Sequence, residues 1–126
     1  MDILERAIPI GTGIKNSSIQ SKVVGWYGGG DVAGRIITAI VEYETLKKGT
    51  AFIVAKTDKK TTYGSMNISD FSILVNDEEI GTEENVMYSV KVNEGDVIKA
   101  TAKFTADSNT SSNHIATGIL EMAVSI

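Results

Sequence analysis

The residue types that carry most enzyme chemistry are scarce in this chain of 126 residues. It has no cysteine and only one histidine, His114. A serine hydrolase of the common type would place its nucleophile on a G-x-S-x-G turn, and the segment Tyr63–Met66, which reads YGSM, does not match it. A thiolate nucleophile and a metal cluster built from histidines are excluded by residue count alone.

Two short segments resemble ligand-binding loops. Gly28–Ala33 reads GGGDVA and fits the loose dinucleotide pattern G-x-G-x-x-A. Asp31 would place a carboxylate against the pyrophosphate, so we interpret the glycines as a turn. Asp107–Ser111 offers oxygen ligands at alternate positions but lacks the glycine and the bidentate glutamate of a calcium loop. We therefore expect no cofactor and no metal.

Pairs of carboxylates occur at Glu42 and Glu44 and at Asp77 and Glu79. Two carboxylates hydrolyse a glycosidic bond only when a cleft holds them at the right separation. Aromatic residues make up 6% of the chain, which leaves few rings to line such a cleft. The sequence thus predicts a protein that is not an enzyme, and a small hydrolase acting through Glu42 or Asp77 stays an alternative.

Trp26 and Tyr27 are the best candidates for ligand contact. They end a short apolar strand, Val23–Tyr27, directly before three glycines. Their rings could form a platform that stacks on a sugar, as in a carbohydrate-binding module. The other interpretation is that they fill a sheet edge or a subunit contact.

Composition bounds the class of protein. Hydrophobic residues make up 42% and charged residues 22%, as in one globular domain. The net charge of −4 argues against nucleic acid as a partner. Residues 1–63 carry nine Lys/Arg and six Asp/Glu, whereas residues 64–126 carry three and ten. We expect no signal peptide and no membrane span, so the chain is either made in the cytoplasm, as a virion protein would be, or is a mature fragment.

The elements that position these residues show a period of two. Val86–Val92 and Ile98–Ala106 each alternate apolar and polar residues, and the turn residues Asn93–Asp96 lie between them. This pattern is typical of half-buried strands, and we expect a β-hairpin here. In the apolar segment Ile115–Ile126 alternate residues share one face, namely Ala116, Gly118, Leu120, Met122, Val124 and Ile126. This predicts a central strand that closes a sheet.

We expect an all-β fold, an antiparallel β-sandwich of jelly-roll type with about eight to ten strands. Residues 1–22 are expected to form an N-terminal arm and residues 23–126 the sandwich. Asp31–Gly49 is interpreted as a strand ending in a turn at Lys47–Gly49, although a helix also fits its ends. The other predicted strands are Ala51–Thr57, Thr61–Met66 and Phe71–Asn76, with a turn at Asp58–Lys60 and an acidic loop at 77–85.

The order of turns and strands in the second half carries a family resemblance. Leu74-Val75-Asn76 ends a strand, Asn93–Ile98 reads NEGDVI, and His114–Leu120 reads HIATGIL. Residues 70–126 thereby resemble the C-terminal half of C1q/TNF-like jelly rolls, including those that cap phage and bacterial surface fibres. The resemblance implies a ten-stranded jelly roll, a trimer and ligand binding at the head.

The N-terminal arm is too apolar for a plain linker. We expect Ile3, Leu4, Ile8 and Ile10 to pack on a neighbouring subunit or a larger assembly, which predicts a homo-oligomer, most simply a trimer. The function we predict is a non-enzymatic structural or adhesive one in a virion: a phage capsid decoration, tail or receptor-binding head that contacts other virion or surface proteins. The alternative is a carbohydrate-binding module that uses Trp26 and Tyr27 and binds a glycan.

Overall fold

Eight strands make up the regular structure that the computed structural model describes, which covers residues 17–27, 34–61, 66–106 and 115–126. The described residues contain no helix that could span a membrane. The strands are β1 (Ser17–Tyr27), β2 (Ile36–Glu44), β3 (Gly49–Thr61), β4 (Met66–Val75), β5 (Glu78–Gly81), β6 (Tyr88–Val92), β7 (Val97–Ala106) and β8 (Ile115–Ser125).

The strands form two four-stranded antiparallel sheets. The first sheet has the order β1-β8-β3-β6 and the second has the order β2-β7-β4-β5. The chain changes sheet at every step except between β4 and β5, and this is the strand order of a jelly roll. The prediction of an all-β antiparallel sandwich is confirmed.

The core lies between the sheets and follows the predicted alternation. On β7 the inward residues from Ile98 to Ala106 are at most 2% exposed, and on β8 Leu120, Met122 and Val124 are as well covered. Several inward positions hold alanine, and among the described residues Phe104 is the only aromatic side chain that is fully buried. Burial of these apolar surfaces is the main force that holds the sheets together.

The predicted hairpin between β6 and β7 is wrong. β6 pairs with the start of β3, whereas β7 pairs with β2 and β4, so the two strands lie in different sheets. The turn Asn93–Asp96 therefore crosses the sandwich. Buried Thr45 fixes this turn, since its hydroxyl donates to the carbonyl of Asn93 at 2.5 Å and its amide donates to the carbonyl of Asp96 at 2.8 Å. The alternation of apolar and polar residues indicates which side chains face the core, but it does not indicate which strand pairs with which.

Two predicted loops are strands. Asp58–Lys60, expected as a turn, continues β3, where Asp58 pairs with Ile119 of β8. Strand β5 lies inside the expected acidic loop at 77–85. It is joined to β4 by the two-residue turn Asn76-Asp77, whose φ angles of 51° and 67° are those of a tight hairpin turn.

The other predicted elements differ in outcome. Thr61 ends β3 and Met66 begins β4, with residues 62–65 outside the described residues, so the predicted strand Thr61–Met66 is not confirmed. The segment within Asp31–Gly49 forms a strand over Ile36–Glu44, as expected, followed by bends at 46–48; residues 31–33 lie outside the described residues. Strand β8 is central, between β1 and β3, as expected. Strand β1 begins at Ser17, so residues 17–22, assigned to the arm, belong to the first sheet.

Candidate functional site

An open groove lies on the outer face of the second sheet, and we call it the charged groove. Its volume is about 730 Å³. Thr101 on β7 pairs with Ile40 on β2 and with Ser72 on β4, which places these three side chains in one row across the sheet. The lining residues are Ile40, Asp70, Phe71, Ser72, Leu74, Asp77, Glu79, Thr82, Lys99 and Thr101.

Lys99 is the centre of charge in this groove. Its Nζ lies 3.0 Å from Oδ1 of Asp77 and 3.6 Å from Oε1 of Glu42. The hydrogen bond to Asp77, followed by the charge of Asp77 and then that of Glu42, raises the pKa of Lys99 above its ordinary value. Two of the carboxylates singled out in the sequence thus meet, but they meet at a lysine, and the ammonium group occupies the position between them.

Local backbone features aim the acidic side chains at their partners. The register of β4 against β7 shifts between Ser69 and Ser72, and Asp70 within this bulge has a φ of 54°. The bulge brings Asp70 Oδ2 to 3.3 Å from Nζ of Lys103. Two residues further along β4, the hydroxyl of Ser72 donates to Oε1 of Glu79 on the neighbouring strand β5 at 2.8 Å. The charged side chains at the groove are therefore oriented by ion pairs and hydrogen bonds with their neighbours.

The Asn76-Asp77 turn is itself tied to the crossing turn. Asn76 Nδ2 donates to Oδ1 of Asp96 at 3.0 Å, and Asn76 Oδ1 accepts the amide of Val97 at 2.9 Å. The other oxygen of Asp96 accepts the amide of Asn93 at 2.7 Å. These hydrogen bonds, the one from Asn93 first, lower the pKa of Asp96. They also fix the end of the groove that presents Asp77.

A second surface lies on the outer face of the first sheet, and we call it the apolar patch. Phe52 is 44% exposed and Met87 is 66% exposed, whereas Val54, Ala123 and Ile19 are half-buried. Val54 pairs with Ala123, which pairs with Ile19, so three strands contribute to one row. Phe52 lies two residues before Val54 on the same side of β3. The patch is the aliphatic and aromatic part of an otherwise mixed face.

A carboxylate borders this patch. Glu121 is 7% exposed, although it lies on the outward side of β8, and its Oε1 is 3.9 Å from Nζ of Lys56. Glu84 lies in the loop before β6, and its carboxylate accepts the amide of Thr57 at 2.6 Å and the hydroxyl of the same residue at 2.7 Å. These contacts anchor the loop that carries Met87.

Of the predicted ligand residues, the structure describes the backbone of Trp26 and Tyr27. Trp26 and Tyr27 are the last two residues of β1, opposite Ala116 and Ile115 of β8, on the sheet that does not carry the charged groove. Their side chains lie outside the described residues. So do the other predicted residues, which are Ile3, Leu4, Ile8, Ile10, Gly28–Ala33, Asp107–Ser111 and His114.

The charge difference between the two halves of the chain does not produce two oppositely charged sheets. Each sheet contains strands from both halves, since β1 and β3 lie beside β6 and β8, and β2 lies beside β7. Negative charge is instead concentrated at β5 and the loop after it, where Glu78, Glu79 and Glu83 are exposed.

Sequence reasoning singled out Glu42, Asp77 and Glu79 but not the charged groove around Lys99, and it missed the apolar patch. The apolar patch joins residues from β1, β3, β8 and the loop before β6, and the only sequence signal was the exposed-side position of Phe52 and Val54 in an alternating strand. Within the described residues, no group of three or more His, Asp or Glu side chains is placed to hold a metal ion. Comparison of the chain with protein-family models, with curated proteins and with solved structures finds no match.

Proposed function

We propose that the protein is a non-enzymatic structural component of a virion, such as a phage capsid decoration, tail or receptor-binding head protein. The jelly-roll strand order supports this, because viral capsid and lectin domains use that architecture. Proteins with this fold have many different functions, so the function has to be argued from the surface residues of this chain.

The observation that carries the proposal is the apolar patch. Phe52 and Met87 are large side chains with 44% and 66% exposure. Phe52 lies on the same side of β3 as half-buried Val54, and Met87 directly precedes β6, which pairs with β3. Contiguous apolar surface rimmed by polar residues marks a protein contact. In a permanently assembled subunit such a surface is buried against a neighbouring chain. We propose a homotrimer as the assembling unit.

Purified particles test this proposal. Particles released by lysis of the producing cells are banded in a density gradient, and their proteins are quantified by mass spectrometry. We expect the chain to band with the particles at a fixed ratio to the main shell protein. A chain that stays in the soluble fraction while particles form normally contradicts the proposal.

A second candidate function is carbohydrate binding, and the charged groove favours it. Ser72 and Thr101 line it with hydroxyl groups beside charged side chains, and placed polar groups of this kind fix the orientation of a bound ligand. Trp26 and Tyr27, the residues that the sequence suggests for the same ligand class, end β1 on the other sheet.

A glycan array separates the two platforms. Binding that is lost in Trp26→Ala, with the fold intact by circular dichroism, assigns the ligand to the end of β1. Binding that is lost in Thr101→Ala assigns it to the charged groove, and no binding by the wild-type protein removes carbohydrate recognition. Turnover of a glycan that disappears in Glu42→Gln or Asp77→Asn identifies a hydrolase instead.

A further inference from the structure

The apolar patch has side chains of the size and chemistry that bind an aliphatic segment. Phe52 and Val54 point outward because Ala51, Ile53 and Ala55, which alternate with them on β3, are buried. Met87 directly precedes Tyr88, which pairs with Ile53, so it lies beside the same strand. The patch therefore spans the width of the first sheet near one end.

The chain supplies an aliphatic segment of matching character. Residues 1–16, which precede β1, contain Ile3, Leu4, Ile8, Ile10 and Ile14. At about 3.3 Å per residue an extended segment of this length reaches roughly 50 Å. That length is more than enough to cross the face of a small sandwich.

The segment joins the sheet beside the patch. Ser17 is the first residue of β1 and pairs with Ser125, which in turn pairs with Phe52. Two strand spacings separate Ser17 from Phe52, or about 10 Å. Ser125 is also the last residue of β8, so β1 leaves the sheet at its end. Continued in the direction of β1, the chain runs beyond the end of β8, so a segment that covers its own patch has to turn back over the sheet.

We propose that the apolar patch binds residues 1–16 of a second copy of this chain, so that neighbouring copies exchange their N-terminal segments. The inference rests on the proposed role as an assembling subunit and names the surface that the assembly uses. Aliphatic side chains of one copy then cover Phe52 and Met87 of the next, and burial of this apolar surface drives the association.

Cysteine cross-linking tests the contact without background, because the chain has no cysteine of its own. An Ile8→Cys variant is mixed with a Met87→Cys variant and oxidised mildly. We expect a product of twice the 13.5 kDa chain mass that contains one copy of each variant. The control mixture replaces Met87→Cys with Ile36→Cys, an exposed position on the other sheet, and we expect at least a tenfold lower yield from it.

A variant with both cysteines, Ile8→Cys and Met87→Cys, identifies the occupant. Cross-links between chains, which grow with protein concentration, support exchange. A cross-link within one chain at every concentration shows that the segment covers its own patch and overturns the inference, as does an equal yield from the control mixture. The cross-linking experiment uses purified protein, whereas the proposed function is tested on particles. A negative cross-linking result is therefore distinguishable from a chain that does not join particles.

Discussion

The ring of Phe104 on β7 lies directly against Gly118 on β8, so a glycine and an aromatic ring form the contact between the two sheets at this level. A Cβ atom added at Gly118 would overlap that ring and would approach Sδ of Met66 to 3.1 Å. The three residues belong to three strands and are all buried. The side chain that fills the space above Gly118 is thus supplied by the opposite sheet.

Gly118→Ala is expected to destabilise the fold by about 1 to 3 kcal/mol, because overpacking a well-filled core forces side chains or strands apart. The free energy of unfolding is measured by urea titration. Ser89→Ala, at an exposed position of β6, is the matched control and should change it by less than about 0.5 kcal/mol. A Gly118→Ala protein as stable as the wild type would show that the sheets do not meet in this way.

Thr45→Val is expected to cost about 1 to 3 kcal/mol, although it preserves the shape of the side chain. Its hydroxyl donates to the carbonyl of Asn93, which would lose that partner. Thr45 directly follows β2 and Asn93 directly follows β6, so this hydrogen bond joins two connections that cross from one sheet to the other. The substitution removes that hydrogen bond. Urea unfolding measures the loss, and Thr50→Val, at an exposed position, serves as control. Equal stability of both variants contradicts this role of Thr45.

The sequence contained enough information for the core but not for the partners of each strand. Alternation at Ile98–Ala106 and at Leu120–Val124 reported the buried face correctly, because a period of two depends only on which side of a strand is covered. Whether β6 turns back beside β7 or crosses to the other sheet depends on long-range contacts such as Thr45 to Asn93, which leave no local pattern.

The missed strand and the missed apolar patch have similar causes. Glu78 and Glu79 in β5 are polar because that edge of the sheet is exposed, so the segment resembles a loop. Asn76-Asp77 was the available signal, since these residue types favour the positive φ angles of a hairpin turn. Phe52 and Met87 are 35 positions apart in the chain, and only the pairing of β3 with β6 brings them together.

Asp96 should contribute to stability in a pH-dependent way. Its pKa in the folded protein is lowered from the ordinary value of 3.8, so the stabilisation is present above that value and is lost as the pH falls through the lowered folded pKa. We expect Asp96→Asn to be less stable than the wild type at pH 7 and the difference to shrink below about pH 4.

Urea titrations at pH 7, 5, 4 and 3 measure this difference. Glu94→Gln removes a charge from the same turn and leaves the hydrogen bonds from Asn93 and Asn76 to Asp96 intact, so it controls for net charge. A stability difference between the wild type and Asp96→Asn that is constant over this range would contradict the assigned hydrogen bonds.

The mass of the protein in solution tests the central claim, self-assembly through the apolar patch and the N-terminal segment, most directly. Light scattering coupled to gel filtration at micromolar concentration should give three times the 13.5 kDa chain mass for the full chain. Deletion of residues 1–16 and the substitution Phe52→Ser should each shift the mass to that of a monomer, whereas Ile36→Ser should not. A full chain that is monomeric, with no change on deletion of residues 1–16, would contradict the account.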